Sequence, residues 1–105
     1  MVHRVIWSPA AIEDVEAIAA FIARGSPRYA AAMVRKILSS TRQLREFPNS
    51  GPAAPEFEDP QIRHLVVTQY RVLYRVDGGV VTIATVVHTS QSFDSDVGRI
   101  SGHRA

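Results

Sequence analysis

Apolar residues recur every three or four positions from Ile12 to Leu44, and every second position from Ile62 to Val87. The first spacing lines one side of a helix and the second lines one face of a half-buried strand. The chain therefore divides into a helical half followed by a sheet-forming half. At 105 residues it has room for one compact domain, residues 1–105, and not for two.

The helical half carries its own start signals. Val2 to Trp7 is a short β-rich run halted by Ser8-Pro9, a capping hydroxyl followed by a proline at the first helical position. Ile12, Val15, Ile18, Ala19 and Ile22 then make an apolar stripe, with Glu13 and Glu16 opposite and Gly25 as the stop. Ser26-Pro27 repeats the start at once. A second helix follows, with Met33, Val34, Ile37, Thr41 and Leu44 on one side, and is expected to run to Phe47 before Pro48. Arg28, Arg35 and Arg42 fall within about 40° of one another at 3.6 residues per turn, opposite Ile37, and form a basic outer ridge. Two helices joined through one glycine make a hairpin.

Asn49 to Pro60 is punctuated by Pro52, Pro55 and Pro60 and carries the acids Glu56, Glu58 and Asp59. It is expected to be a loop crossing from helix to sheet. Three β-rich runs follow, Ile62 to Thr68, Tyr70 to Val76 and Val80 to Val87. A two-residue Gly78-Gly79 turn pairs Asp77 with Val80, hence Val76 with Val81 and Tyr74 with Ile83. That register gathers Tyr70, Val72, Tyr74, Val76, Val81, Ile83 and Val87 on one face. Arg71, Leu73, Arg75, Thr82, Ala84, Val86 and His88 fall on the other. The helical hairpin is expected to cover the tyrosine face and leave the arginine-bearing reverse open to partners. Residues 94–105, polar and with two glycines, are expected to fray.

Composition narrows the chemistry. The chain has no cysteine, which removes disulfides, thiol nucleophiles and cysteine zinc sites. Four histidines, at 3, 64, 88 and 103, show no helical metal spacing, so no metal and no cofactor is expected. No apolar run approaches the roughly 20 residues that cross a bilayer, so the chain reads as cytoplasmic. Net charge is only +2, yet eleven of twelve cations are arginine and one is Lys36. Guanidinium offers a bidentate fork to carboxylate or phosphate; arginine-rich composition can equally follow from a GC-rich genome.

The order strand, helical hairpin, loop, three strands now stands beside particular residues. These are Ser8-Pro9-Ala10-Ala11 with Asp14 and Ile18, Phe47-Pro48 with Gly51, Tyr70 to Val76, and Val86-Val87-His88. Together they resemble the RelE/ParE superfamily of bacterial toxins nearly end to end. The resemblance implies an α+β fold of order βααβββ, with the helical hairpin on one face of a small antiparallel sheet. It also implies the toxin of a type II toxin-antitoxin module, also known as a plasmid stabilisation protein, neutralised by a cognate antitoxin. For the antitoxin an apolar groove beside the hairpin is expected, with Arg28, Arg35 and Arg42 meeting its acidic side chains.

Two targets divide the superfamily: the RelE-like branch cleaves messenger RNA on the ribosome, and the ParE-like branch poisons DNA gyrase by binding. Cleavage needs a base, cations near phosphorus and an acid. Arg71 stands where the nuclease branch places a phosphate-binding arginine. That branch also carries lysines on the preceding strand, where this chain has Ile62, Arg63 and His64, and an arginine after the last strand, where it has Thr89, Ser90 and Gln91. Its terminal acid is not supplied by Phe93, although His103 lies further on. Gyrase binding is accordingly the leading expectation, with Arg71, Arg75, His88 and Gln91 as contacts. The alternatives are a nuclease rebuilt from Arg63, His64, Arg71, Arg75 and His88, or an inactive antitoxin-binding homologue.

Overall fold

The structure, a computed structural model, describes residues 2–90. Gln91 and the expected tail at residues 94–105 lie outside the described residues. Strand β1 (Arg4–Trp7) leads into helices α1 (Pro9–Ala23) and α2 (Pro27–Arg42), a 3-10 turn (Gln43–Arg45), and strands β2 (Ile62–Val67), β3 (Tyr70–Asp77) and β4 (Val80–His88). The sheet runs β1-β4-β3-β2. Two helices thus pack on a four-stranded sheet in an α+β fold. The sheet is mixed rather than wholly antiparallel, because β1 joins the edge of β4 in parallel.

Both start signals form caps. Ser8 accepts the amide of Ala11 at 3.0 Å and Ser26 that of Tyr29 at 3.1 Å, each stabilising its helix by about 1 kcal/mol. On α2 the expected stripe is buried at Met33, Ile37 and Thr41, and Leu44 follows in the 3-10 turn. The helix ends five residues before the expected Phe47, which is 63% exposed. On α1 the stripe holds at Val15, Ile18 and Ile22, which pack against the core, but its first position passes from Ile12, 46% exposed, to the fully buried Ala11.

The Gly78-Gly79 register holds from Asp77↔Val80 to Tyr74↔Ile83 and then slips, so that Leu73 pairs with Thr85 and Val72 with Val86. Ala84 is the extra residue of a β-bulge. Beyond it Val86 and Val87 exchange faces: Val86 joins the cluster under the helices with Tyr74 and Ile83, and Val87 joins Leu73 and Ala84 on the reverse. α1 takes up the polar groups the bulge exposes. Ser8 Oγ donates to the Ala84 carbonyl at 2.9 Å, and the Asp14 carboxylate accepts the Val86 amide at 3.0 Å and the Thr85 hydroxyl at 2.5 Å. Backbone groups left by a bulge would otherwise be buried without partners, which is costly.

Candidate functional site

The reverse face is where sequence reasoning placed the docking surface, and it is not open. The loop of residues 46–61 crosses it as a strap. Residues 52–54 lie antiparallel to β2, with a bridge between Ala53 and Arg63 and hydrogen bonds from Ala54 N to Ile62 O (2.9 Å) and His64 N to Pro52 O (3.1 Å). Ala54, with Phe57 packed beside it, belongs to an apolar cluster with Ile62, Leu73, Ala84 and Val87. The strap therefore has a small core of its own.

At its start the strap is pinned by a tyrosine from the opposite face. The Tyr74 hydroxyl donates to the Pro48 carbonyl at 2.9 Å and accepts the Gly51 amide at 3.0 Å. Burial pushes the Tyr74 pKa up, against the Gly51 amide, which favours the phenolate. Gly51 is required by space: a Cβ there would lie 2.3 Å from the His64 carbonyl oxygen and 2.8 Å from the Tyr74 hydroxyl. Arg63 adds a hydrogen bond to the Gly51 carbonyl at 2.6 Å.

Further along, the strap's acids meet the sheet's arginines. Glu56 takes both arms of Arg71, from Nη1 at 2.5 Å and Nη2 at 3.0 Å. His64 Nδ1 lies 3.0 Å from Arg71 Nε and 2.8 Å from Nη2. Guanidinium can only donate, so Nδ1 carries the lone pair and the ring is neutral with its proton on Nε2. Hydrogen bonding from Arg71 holds the Glu56 carboxyl below its ordinary range, against the opposing effect of burial. Burial first, and then the Arg71 charge, hold the His64 imidazole below its ordinary value. A second pair, Asp59 with Arg75 at 2.9 Å, is more exposed. The Gln61 amide first, and Arg75 after it, lower the Asp59 pKa.

The five nuclease candidates do not converge. Arg71 and Arg75 share the reverse face with His64, by the pairings His64↔Leu73 and Ile62↔Arg75. Arg63 pairs with Tyr74 and so turns to the helix side. The bulge carries His88 to that side too, where its ring meets Tyr70 edge-on at 5.6 Å. Arg71, expected in the open, is only 9% exposed. Arg28, Arg35 and Arg42 are exposed on α2 as expected, and a hollow beside the hairpin is lined by Phe21, Ile22, Arg24, Tyr29, Met33 and Tyr70. Sequence reasoning missed Glu56 and Asp59 as partners. The signal was a loop with three acids facing strands with three arginines.

Among the described residues no group of His, Asp and Glu side chains is arranged to hold a metal ion, and no helix is long and apolar enough to cross a membrane. The arrangement suits holding an oxyanion in a guanidinium fork.

Comparison with known proteins adds the remaining findings. The sequence profile of the family described as ParE toxin of type II toxin-antitoxin system, parDE, matches residues 5–93. No curated protein sequence matches. Among solved structures, a chain of the chromosomal ParDE toxin-antitoxin system from P. aeruginosa is similar at 23% identity and a TM-score of 0.71, covering 85% of this chain and 98% of that one. A chain of the toxin-antitoxin complex RelBE2 from Mycobacterium tuberculosis is similar at 22% identity and a TM-score of 0.58, covering 84% and 99%.

Proposed function

The chain belongs to the ParE toxin family of type II toxin-antitoxin systems, and from that premise we propose that it inhibits DNA gyrase by binding and is neutralised by a cognate antitoxin. The observation that carries the choice of target is the splitting of the nuclease candidates between two faces of the sheet. His64, the candidate base nearest Arg71, already spends its Nδ1 lone pair on that arginine, and the arginine's charge is matched by Glu56. General base catalysis needs an unengaged lone pair within reach of the proton it removes. A binding poison needs no such set.

Purified gyrase titrated with the toxin should lose supercoiling activity, and the loss should reverse on adding the antitoxin. Unchanged supercoiling at excess toxin, with codon-dependent cleavage of translated messages in its place, would establish the ribosomal alternative. For the antitoxin, the hollow beside Phe21, Tyr29 and Met33 offers apolar anchorage. The exposed Arg28, Arg35 and Arg42 offer electrostatic steering toward an acidic chain. Reversing Arg35 and Arg42 to Glu should slow association and flatten its salt dependence.

A further inference from the structure

β1 is an outer strand of the sheet, and a hollow of about 470 Å³ lies where its free edge meets the end of α2. Its volume falls within the range of small-ligand sites, about 300–1,000 Å³. Val5, Trp7 and Leu38 give it an apolar lining, and Arg4, Arg42 and Arg45 bring three guanidiniums to it from a strand, a helix and a 3-10 turn. Among the described residues none of the three has a carboxylate partner. The acid Glu46 lines an adjoining hollow and not this one. Arg42, in the last turn of α2, complements the helix dipole; Arg4, at the start of β1, has no such duty. His3 also lines the hollow, and its Nδ1 is buried without a hydrogen-bond partner among the described residues. Buried polar atoms are rarely left so.

We propose that this hollow binds a nucleotide unit, with its phosphoryl group on Arg4, Arg42 and Arg45 and its base against Trp7. A carboxylate presents two oxygens and a terminal phosphoryl group three, so three guanidinium forks around one hollow match the latter. An indole face takes any base by stacking. A sugar hydroxyl, able to donate or accept, satisfies His3 Nδ1 in either tautomer of the ring. The edge of β1 argues against a peptide strand as the occupant. Arg4 N and Ser8 N bond across to Gly79 O and Ile83 O at 2.9 Å, which turns the amides of Val5 and Trp7 outward, and His3 N is already bonded to Arg45 O at 2.7 Å. Two free amides make too short a template for strand addition. The unit is a free nucleotide or one residue of a strand, which share this chemistry, and the inference holds whether the target is gyrase or the ribosome. Arg42 also belongs to the ridge assigned to the antitoxin, so Arg4 and Arg45 carry the test.

Trp7 is the chain's single tryptophan, so its fluorescence reads the hollow directly. The full chain is titrated at constant ionic strength with adenosine monophosphate, adenosine, a short oligodeoxyadenylate and a short oligoglutamate. The monophosphate should quench Trp7 saturably, with a midpoint in about the millimolar range or below. Adenosine, without the phosphoryl group, should need about tenfold more. Arg4→Ala and Arg45→Ala should each raise the monophosphate midpoint about tenfold, and Arg4→Lys by less, since it keeps the charge without the fork. Lys36→Ala, which removes a charge from α2 outside the hollow, should leave the midpoint within about twofold. Saturation by the oligodeoxyadenylate below the monophosphate midpoint identifies a strand as the source of the unit, and saturation above it a free nucleotide. The proposal is overturned if neither nucleotide ligand changes Trp7 saturably, if adenosine acts at the same concentration as the monophosphate, or if Arg4→Ala and Arg45→Ala with the wild-type circular dichroism keep the wild-type midpoint. Equal weakening by Lys36→Ala would mark diffuse attraction, and a lower midpoint for oligoglutamate would mark a peptide surface; either overturns it as well. Should one arginine-to-alanine variant fail to fold, the other decides with Arg4→Lys by the same criteria.

Discussion

On one face of the sheet α2 and the turn after it bury Met33, Ile37 and Leu44 in a cluster with Tyr74 and Ile83. On the other, a strap lays Ala54 and Phe57 over Leu73 and Val87 and fastens itself with Glu56 on Arg71 and Asp59 on Arg75. The helix side is held by area removed from water, a force without direction and nearly indifferent to pH and salt. The strap side has a smaller core and leans as well on directed bonds between charges, which a proton or a competing ion can weaken. One cover belongs to the fold, and the other is fitted to it.

The sharpest way to break this contrast is to damage each side in turn. Ile37→Ala should cost about 4 kcal/mol in urea unfolding, since the fully buried side chain leaves a cavity, and the loss should be the same at every pH. Gly51→Ala should cost about 3 kcal/mol by overpacking against the β2 backbone, with chemical-shift changes concentrated in the strap. Tyr74→Phe should cost about 1.5 kcal/mol, because the Gly51 amide and the Pro48 carbonyl lose their partner; an unchanged urea midpoint would show that water replaces it.

The smallest effect is a pH dependence. The folded protein holds His64 below its ordinary pKa, so between the folded and unfolded values the unfolded chain binds more protons. The stability contributed by neutral His64 is complete above about 6.5 and is lost as pH falls from there through the folded value. Glu56, also lowered, extends the loss below its own ordinary value near 4.5. Thermal melts across this range should show the decline, and His64→Gln should remove its upper part. If Ile37→Ala altered the slope as well, the two covers would not be separable.

What was legible in the sequence was what neighbours in the chain decide. Ser8-Pro9 and Ser26-Pro27 name their helices because a cap is made within three residues. Gly78-Gly79 sets four pairs of the last hairpin because a turn fixes the register next to it. The register was lost at Ala84, where the decision passes to Ser8 and Asp14, some 70 residues away. That single slip moved His88 off the face assigned to it. The strap was seen as a loop, and its acids were counted, but nothing in its spacing says which strand residues it meets. Periodicity speaks for elements that repeat, and a loop crossing a sheet repeats nothing.

The parallel pairing of β1 with β4 has a consequence for how the molecule comes into being. A segment synthesised early lies beside one that emerges some 76 positions later, with Arg4 opposite Val80 and Ser8 Oγ reaching Ala84 O. While the ribosome is still extending the chain, α1 and α2 have no completed platform to rest on, and the bulge that Ser8 and Asp14 serve does not yet exist. A chain cut short before Ala84 therefore cannot close its sheet, and the packed fold waits until β4 has been translated.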